Sequence, residues 1–514
     1  MSTAGNQVLP NLSSSIARVL GEGGAAHALE YAGHWHSWAD MCALADQLSA
    51  IIDRECSGEL RIGLVARNRP VALAALLGLI ARGFTAVMVH GAQSAERLGK
   101  EIAELNLAAI AAEHGFWQEA VSTAASDTGT LQIVLPDALD GTIDTVRPQR
   151  TRASAPSAPS APSASSDRAV ALELLSSGTT GPPKRIPILW RTLELALGTA
   201  HGTALSGGGK LELSGSDLPP AISGLSLGNI GGVYMMLPSV LIGQRIVMLD
   251  KFAVEPWVRA VSAYQPEILS VQPVGLRMIL EAGVPRDALA SLKTIVSGAS
   301  RLDPDLQDEF EERYGIRVFG AYGATETCGS IIVWTDALYD RYRHEKRGSV
   351  GMPVPGVTVR IVDAQTGKEA PTGISGLLHA LVDRVGPDWI ETTDLAHVDA
   401  DGFVFIEGRA DNAIDRGGYS VPPDYVAEAL CRHPAVRDAS VVGLPDARLG
   451  QVPVAAVELV EGASVPTQDE LLAFARAHLL SYQVPVRIIC VENLPRNASL
   501  KIMAPQVCEL FDTP

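Results

Sequence analysis

The sequence predicts an α/β fold with a large N-terminal domain and a small α+β C-terminal domain. The chain has 514 residues, too many for one hydrophobic core, so two or more domains are expected. Up to about residue 410, short apolar runs typical of buried strands alternate with helical patterns, which predicts mostly parallel sheets. A polar stretch then precedes shorter elements. We therefore predict domains at residues 1–410 and 411–514.

Composition excludes several other classes of protein. Hydrophobic residues make up 47% of the chain, but no apolar run is long enough to span a membrane, so we expect a soluble globular protein. The net charge is −17 and no lysine–arginine cluster stands out, which argues against a nucleic-acid binder. The six cysteines are scattered and the N-terminus lacks a signal pattern, which predicts a cytoplasmic location.

The first part of the chain sets the α/β pattern. A short buried strand is predicted over residues 61–66, a helix that is apolar on all faces over 71–81, and the next strand over 85–89. Residues 94–105 are amphipathic, and Ser94 is the predicted N-cap of that helix.

Residues 150–167 contain no large apolar side chain and are rich in alanine, proline and serine. Such a stretch cannot contribute to a core, so we predict a disordered, mobile surface insertion. It stands just before a loop at residues 176–184, on which much of the functional argument depends.

Beyond the insertion, the pattern predicts further elements up to the C-terminus. Helices are expected over residues 187–203, 233–241 and 254–264, and strands over 211–213, 245–249, 268–271 and 294–296. In the small domain, helices are expected over residues 425–431 and 469–478, and strands over 439–442, 454–459 and 487–491.

The loop that follows the apolar run at residues 169–175 combines glycines, hydroxyls and a lysine. Glycines let successive N–H groups converge on an anion, while the hydroxyls add donors and Lys184 adds a positive charge. The spacing differs from a Walker loop, because Pro183-Lys184-Arg185 stands where that pattern needs Gly-Lys-Ser/Thr. We predict a polyphosphate site; a surface turn is the alternative. The predicted phosphate-binding residues are Ser176, Ser177, Gly178, Thr179, Thr180 and Gly181, with Lys184 as a catalytic cation.

This loop resembles the phosphate-binding signature of the adenylate-forming superfamily, which includes acyl- and aryl-CoA synthetases, luciferases and peptide-synthetase adenylation domains. The family pattern ends in Gly-x-Pro-Lys, as residues 181–184 do. Four further motifs occur in family order, so the resemblance covers essentially the whole chain. It implies the acyl-CoA synthetase/luciferase fold, in which helix-flanked β-sheets form the large domain and the small domain is a mobile lid.

Residues 319–327 resemble the family's Tyr-Gly-x-Thr-Glu element. Tyr322 would give adenine a stacking face, Thr325 would donate to the α-phosphate, and Glu326 would supply a hard oxygen to Mg²⁺. A strand-end turn with a surface glutamate is the alternative. Upstream, Gly298 and Ala299 match a family turn that lines the adenine and acyl pockets.

The third motif joins Asp394 to Arg409 and Asp411. By resemblance, Asp394 accepts both ribose hydroxyls, Arg409 reaches ribose or phosphate, and Asp411 is the hinge of the small domain. The carboxylate suits a vicinal diol. Thr393 stands where the family usually has glycine. A β-hairpin with an Asp401-Gly402 turn is expected within this stretch.

Two motifs lie in the predicted small domain. Gly417 and Gly418 resemble the turn that the family brings against the pantetheine arm of CoA. Lys501 falls at the family's catalytic lysine, whose ammonium would neutralise charge as a carboxylate attacks the α-phosphate. Leu500 replaces the usual glycine before that lysine, and a solvated surface lysine is the alternative.

The acyl pocket is predicted from Asn229, Ser297, Gly320 and Ala321, where Asn229 replaces the family's common histidine. No aspartate occurs between residues 218 and 249, where amino-acid-activating relatives hold an α-amino group. A neutral pocket disfavours an ammonium, so we expect an aliphatic or aryl acid without that group. The glycines near Asn229 indicate either a roomy pocket or tight helix packing.

The resemblance implies a ligase that activates a carboxylic acid with MgATP, forming an acyl-adenylate and pyrophosphate, and then passes the acyl group to CoA. The partners expected are a small carboxylic acid and CoA, with no nucleic acid and no membrane span. Two alternatives stay open. One is an acid-adenylating enzyme that loads a separate carrier protein; the other is a non-catalytic ATP- or acyl-binding relative.

Overall fold

The computed structural model describes residues 12–56, 61–91, 93–148, 169–175, 184–204, 217–364, 366–410, 413–416, 419–446, 449–479, 482–497 and 500–511. Several predictions therefore lie outside the described residues: the insertion at 150–167, the phosphate loop at 176–181, the strand at 211–213, the hinge Asp411, and the predicted CoA-binding glycines Gly417 and Gly418.

Helices and strands alternate in the first part of the chain, as predicted. The elements are α1 (Leu12–Glu22), β1 (His27–Tyr31), β2 (His34–Ser37), α2 (Trp38–Glu55), β3 (Arg61–Ala66), α3 (Pro70–Ala81), β4 (Thr85–His90), α4 (Ala95–Leu105), β5 (Ala109–Glu113), α5 (Glu119–Thr128), β6 (Leu131–Leu135) and β7 (Asp144–Val146). The Ser94 side chain accepts a hydrogen bond from Arg97 N, which confirms the predicted N-cap of α4.

The middle of the chain continues the alternation. Its elements are β8 (Val170–Leu175), β9 (Arg185–Leu189), α6 (Trp190–Ala204), β10 (Ala221–Ser223), α7 (Ile230–Leu241), β11 (Ile246–Met248), α8 (Val254–Tyr264), β12 (Ile268–Ser270), α9 (Pro273–Glu281), β13 (Thr294–Ser297), α10 (Pro304–Tyr314), β14 (Arg317–Ala324), β15 (Gly329–Val333) and α11 (Asp336–Tyr342).

The prediction of a helix with its neighbouring turn over residues 187–203 holds from residue 190, but the first three residues form a strand. Residues 187–189 belong to β9, which pairs antiparallel with β8 and is an edge strand of its sheet. An edge strand tolerates Pro187, which has no N–H to donate. The helix α6 begins only at Trp190.

The last part of the chain is richer in strands. Its elements are β16 (Met352–Pro353), β17 (Val357–Val362), β18 (Gly376–Val382), β19 (Trp389–Val398), β20 (Val404–Arg409), β21 (Ile414–Arg416), β22 (Tyr419–Val421), α12 (Pro423–Cys431), β23 (Val436–Asp446), β24 (Gly450–Leu459), α13 (Gln468–His478), β25 (Arg487–Val491) and α14 (Ala504–Glu509). The hairpin turn expected at Asp401-Gly402 does join β19 to β20, and Gly402 has φ +89° there.

A seven-stranded sheet in the order β7-β6-β5-β3-β4-β8-β9 forms the first large layer. Its five inner strands are parallel and its two edge strands antiparallel, which confirms the predicted mostly parallel sheet. Helix α3 is buried on all faces from Pro70 to Ile80. Among the described residues, no helix is both long and apolar enough to cross a bilayer.

Two other sheets position the candidate site. In the order β12-β13-β14-β15-β16, strands β13 and β14 run parallel, and their register places Ser297 opposite Gly320. In the antiparallel order β17-β18-β19-β20, the register places Asp394 opposite Arg409. Two of the predicted motifs are thus set by strand pairing.

The C-terminal residues form a sheet of their own in the order β22-β21-β24-β23, with β25 on β24. This sheet and the helices α12 and α13 share one hydrophobic core, whose members include Val426, Leu430 and Leu471. The predicted boundary between residues 410 and 411 falls between β20 and β21. Its exact position stays a prediction.

The two glycines at the start of α7 have different surroundings. A Cβ at Gly232 would stand 2.1 Å from the carbonyl oxygen of Ser226, in the segment before the helix. A Cβ at Gly231 would have Leu225 Cδ1 at 3.9 Å as its nearest neighbour, an ordinary contact. Tight packing therefore accounts for Gly232.

These adjacent glycines form a matched pair for mutation. Gly232→Ala is expected to lower the free energy of unfolding by about 2 kcal/mol, because the backbone of residue 226 cannot move aside cheaply. Gly231→Ala is expected to change it by about 0.5 kcal/mol or less. Thermal unfolding of both variants tests this, and equal melting temperatures would contradict the packing argument.

Candidate active site

Tyr322 and Asp394, both predicted to bind nucleotide, meet across two sheets. The Tyr322 hydroxyl donates a hydrogen bond of 2.5 Å to Asp394 Oδ2. Burial, reinforced by the adjacent carboxylate, raises the pKa of Tyr322 above its ordinary value, so the phenol keeps its proton. This hydrogen bond fixes the Tyr322 ring, on β14, against Asp394 on β19.

Arg409 completes this end of the site. Its Nη2 donates to Thr393 Oγ1 at 2.6 Å, while its Nη1 lies 3.9 Å from Asp394 Oδ1. Thr393, which stands in place of the expected glycine, therefore gives Arg409 a hydrogen-bond partner. The Asp394 side chain is 18% exposed, which leaves part of the carboxylate open to a ligand.

The Lys501 loop is a closed turn. Asn497 Oδ1 accepts from Lys501 N at 3.0 Å, and Lys501 O accepts from Asn497 N at 2.8 Å. Leu500 has φ +60°, the left-handed region that glycine adopts without a steric penalty. Arg496 Nη1 donates to Leu500 O at 3.1 Å, which holds this conformation in place.

Lys501 lies within electrostatic reach of Asp394 and Arg409, although it comes from the C-terminal part of the chain. Burial lowers the pKa of Lys501 below its ordinary value, repulsion by Arg409 lowers it further, and Asp394 opposes both effects. The structure thus brings together three of the residues that the sequence assigned to separate motifs.

Thr325 and Glu326 occupy the half-buried turn between β14 and β15. The turn is held by Thr327, whose buried hydroxyl accepts from Ala324 N at 2.9 Å and reaches Gly329 O at 2.7 Å. Sequence reasoning included Thr327 in the motif but gave it no role. Its hydrogen bonds become visible only when the turn closes.

Arg384 forms hydrogen bonds with backbone carbonyls of the same turn. Its Nη2 donates to Thr327 O at 3.0 Å and to Ser330 O at 3.1 Å. Burial lowers the pKa of Arg384, and no carboxylate pairs with it in the described part of the chain. Sequence reasoning missed this residue, because a single arginine after a strand carries no motif.

The residues predicted to form the adenine and acyl wall lie where β13 meets β14, and their role stays a prediction. A Cβ at Gly298 would stand 2.8 Å from Ala321 O, so only glycine allows this close approach of β13 to β14. Ala299 has φ +67°, and the buried Ser297 Oγ has no hydrogen-bond partner within the described structure. Gly320 lies opposite Ser297. These four positions are therefore neighbours where β13 meets β14.

Asn229 is the N-cap residue of α7, but its side chain does not cap the helix. The preceding Gly228 lies against His90, a residue that sequence reasoning did not single out. Burial lowers the pKa of His90 below its ordinary value. Further along α7, the Tyr234 ring packs directly on Gly329.

Two predicted residues remain, Lys184 and Glu326. Lys184 is exposed just before β9. No group of three or more potential metal ligands occurs among the residues that the structure describes. The assignment of Glu326 to Mg²⁺ stays a prediction; its carboxylate is the hard oxygen donor that this ion takes.

Comparison with known proteins places the chain in a family. The family described as AMP-binding enzyme matches residues 17–380, and the AMP-binding enzyme C-terminal domain matches residues 425–501. The chain therefore belongs to the AMP-binding enzyme family, which confirms the predicted adenylate-forming superfamily.

Curated relatives and solved structures agree with this placement. A 2-succinylbenzoate–CoA ligase of Bacillus velezensis is 26% identical over 94% of this chain and 95% of its own length. One of Bacillus cereus is 30% identical over 66% of this chain and 70% of its own. The o-succinylbenzoate CoA synthetase of Bacillus subtilis, solved with its acyl-adenylate intermediate, superposes with a TM-score of 0.76 at 22% identity, covering 96% of this chain and 97% of that one. This likeness confirms the predicted fold.

Replacing Thr327 tests whether its hydroxyl holds the turn. Thr327→Val is expected to lower the free energy of unfolding by about 2 kcal/mol, because it leaves buried backbone groups unpaired. It is also expected to weaken nucleotide binding about tenfold, which corresponds to about 1.4 kcal/mol. Titration calorimetry with MgATP measures the second effect.

Thr130→Val is the matched control, since the buried Thr130 hydroxyl donates to Leu107 O at 2.9 Å at the start of β6. It should reduce stability but leave MgATP affinity unchanged. Equal loss of affinity in both variants would show that Thr327 acts only through general stability.

Proposed function

We propose that this protein is an AMP-forming acid–thiol ligase that activates a carboxylic acid with MgATP and transfers the acyl group to CoA. The observation that carries the proposal is that Lys501, from the C-terminal part of the chain, lies within electrostatic reach of Asp394 and Arg409. The relatives are named as CoA ligases, and the Bacillus subtilis synthetase has also been solved with ATP and magnesium ion.

In the first half-reaction, a carboxylate oxygen of the acid attacks the α-phosphorus of ATP. The bond to pyrophosphate breaks, and an acyl-adenylate forms. Lys501 supplies the positive charge that offsets negative charge building at the reacting phosphate and carboxylate. Glu326 would hold Mg²⁺, which neutralises phosphate charge when bound.

Asp394 and Tyr322 orient the nucleotide. The open part of the Asp394 carboxylate accepts hydrogen bonds from the ribose hydroxyls, and its other side is held by the Tyr322 hydroxyl. The Tyr322 ring offers adenine a flat face, and the turn at Gly298 and Ala299 is proposed to line the same space. Arg409 reaches toward ribose or phosphate, and the loop at residues 176–181 with Lys184 holds the distal phosphates.

In the second half-reaction, the CoA sulfur attacks the acyl carbon and AMP leaves. The lid would turn about Asp411, withdraw Lys501 and present Gly417 and Gly418 to the pantetheine arm, so that one site serves two reactions. Loading of a carrier protein is the alternative acceptor. A non-catalytic relative would bind ATP without turnover.

The acid is an aliphatic or aryl carboxylate without an α-amino group. The predicted pocket residues offer no anionic group to an ammonium; they are Asn229, Ser297, Gly320 and Ala321. The compound in the relatives' names, 2-succinylbenzoate, has no amino group. The cytoplasmic location expected from the cysteines stays a prediction.

The Lys501 role is tested by separating the half-reactions. Lys501→Ala is expected to slow acid-dependent pyrophosphate release about 100-fold or more, the scale for losing a preorganised charge. Thioester formation from preformed acyl-adenylate should stay within about twofold. Lys293→Ala, which removes an exposed lysine paired with Glu267, is the control. Equal pyrophosphate release by the two variants would contradict the role.

The pH dependence follows from the lowered pKa of Lys501. Since the charged ammonium is the active form, kcat/KM for ATP is expected to fall with rising pH at values below the ordinary lysine pKa of 10.5. The alkaline limb of kcat should lie higher, because bound phosphates stabilise the ammonium. Lys501→Arg should move the kcat/KM limb upward, since a guanidinium keeps its proton. If the alkaline limb of kcat/KM stayed at the same pH in Lys501→Arg, a group other than Lys501 would be responsible for it.

A further inference from the structure

An ion pair links the helix α9 to the C-terminal strand β23. Arg437 Nε and Nη2 lie 3.0 and 2.7 Å from the two carboxylate oxygens of Glu281, a bidentate arrangement. On the same helix, Arg277 Nη1 donates to the backbone carbonyl of Arg437 at 2.7 Å. We refer to Glu281, Arg277 and Arg437 as the α9 contact.

The α9 contact is connected to the Lys501 loop by a continuous series of polar bonds. Arg437 Nη1 lies 2.9 Å from Glu458 Oε1, and the Glu458 side chain is 5% exposed. Glu458 Oε2 lies 3.8 Å from Arg496 Nη2, and Arg496 in turn donates to Leu500 O. The residue before Lys501 is therefore connected, through the buried Glu458 and through Arg496, to the arginine that meets α9.

A second ion pair crosses between the same two parts of the chain. Arg301, which follows the turn at Gly298 and Ala299, pairs with Glu428 of α12. Glu428 also pairs with Arg432 at 3.2 Å. Two separate salt-bridge contacts thus join the C-terminal part of the chain to the large domain.

We propose that Glu281, Arg277 and Arg437 are positioning residues that hold the C-terminal part in the orientation that places Lys501 beside Asp394 and Arg409. This inference rests on the proposed two-step function. The contact favours the adenylate-forming orientation and must break for the lid to turn, so its strength sets the balance between the two half-reactions.

The exposure of the ion pair suits a contact that breaks in every cycle. Both the Arg437 and the Glu281 side chains are 38% exposed, so water can solvate them as they separate. Partly exposed pairs are weak enough to open on the timescale of catalysis and are screened by salt. The buried Glu458, in contrast, stays with Arg437 in either orientation.

Glu281→Gln is the variant of choice, because Glu281 forms its ion pair with Arg437 alone in the described structure, and Arg437 keeps Glu458. Glu267→Gln is the matched control: its exposed pair with Lys293 joins elements of the large domain only. Two readouts are measured on the full chain. One is the ratio of thioester formation from preformed adenylate to acid-dependent pyrophosphate release; the other is the rate of trypsin cleavage after Arg409 and Arg416 without substrates.

Glu281→Gln is expected to raise the ratio about three- to tenfold and to accelerate cleavage by a similar factor, while Glu267→Gln matches the wild type. Raising KCl from about 0.05 to 0.5 M should accelerate cleavage of the wild type in the same direction, which keeps the test valid if the variant folds poorly. The proposal would be overturned if Glu281→Gln behaved as Glu267→Gln does in both readouts. It would also be overturned if cleavage of the wild type did not depend on salt. If the wild type activates no acid, the proposed function fails, and cleavage alone decides the α9 contact.

Discussion

The site depends on a half-buried lysine, Lys501, that lies within electrostatic reach of a second cation. Lys501 is desolvated and repelled by Arg409, and the carboxylate of Asp394 offsets only part of that cost, so the pKa of Lys501 is lowered. In the proposed reaction, a bound polyphosphate adds negative charge near Lys501 and Arg409, where charge develops during attack.

Two different parts of the fold contribute to this group of charges. Strand pairing fixes Asp394 opposite Arg409 and Ser297 opposite Gly320, so the large domain needs no movement to assemble its wall. The lysine arrives on a loop that belongs to another sheet. That loop is held by Arg496, which also pairs with Asp438 at 2.5 Å. The residues proposed to orient the nucleotide thus lie on paired strands, while the proposed catalytic lysine lies on a separate sheet's loop.

The family and the fold class could be predicted from the sequence, because the motifs are local and the apolar patterns alternate along the chain. The roles of residues 319–327 and of Lys501 follow from the resemblance to the family and stay predictions. The strand at the start of 187–203 has a tertiary cause, since β9 exists only through pairing with β8. Arg384 and the Glu281–Arg437 pair could not be predicted either, because their partners lie 54 or more residues away in the sequence and share no motif.

Acid-dependent ATP–pyrophosphate exchange tests the central claim most directly. The wild-type protein would be given a panel of short, medium, long and aromatic carboxylic acids, with amino acids included. The account predicts exchange with acids that lack an α-amino group and silence with the amino acids. Exchange confined to amino acids would contradict the neutral pocket, and silence across the panel with ATP still bound would contradict adenylation itself.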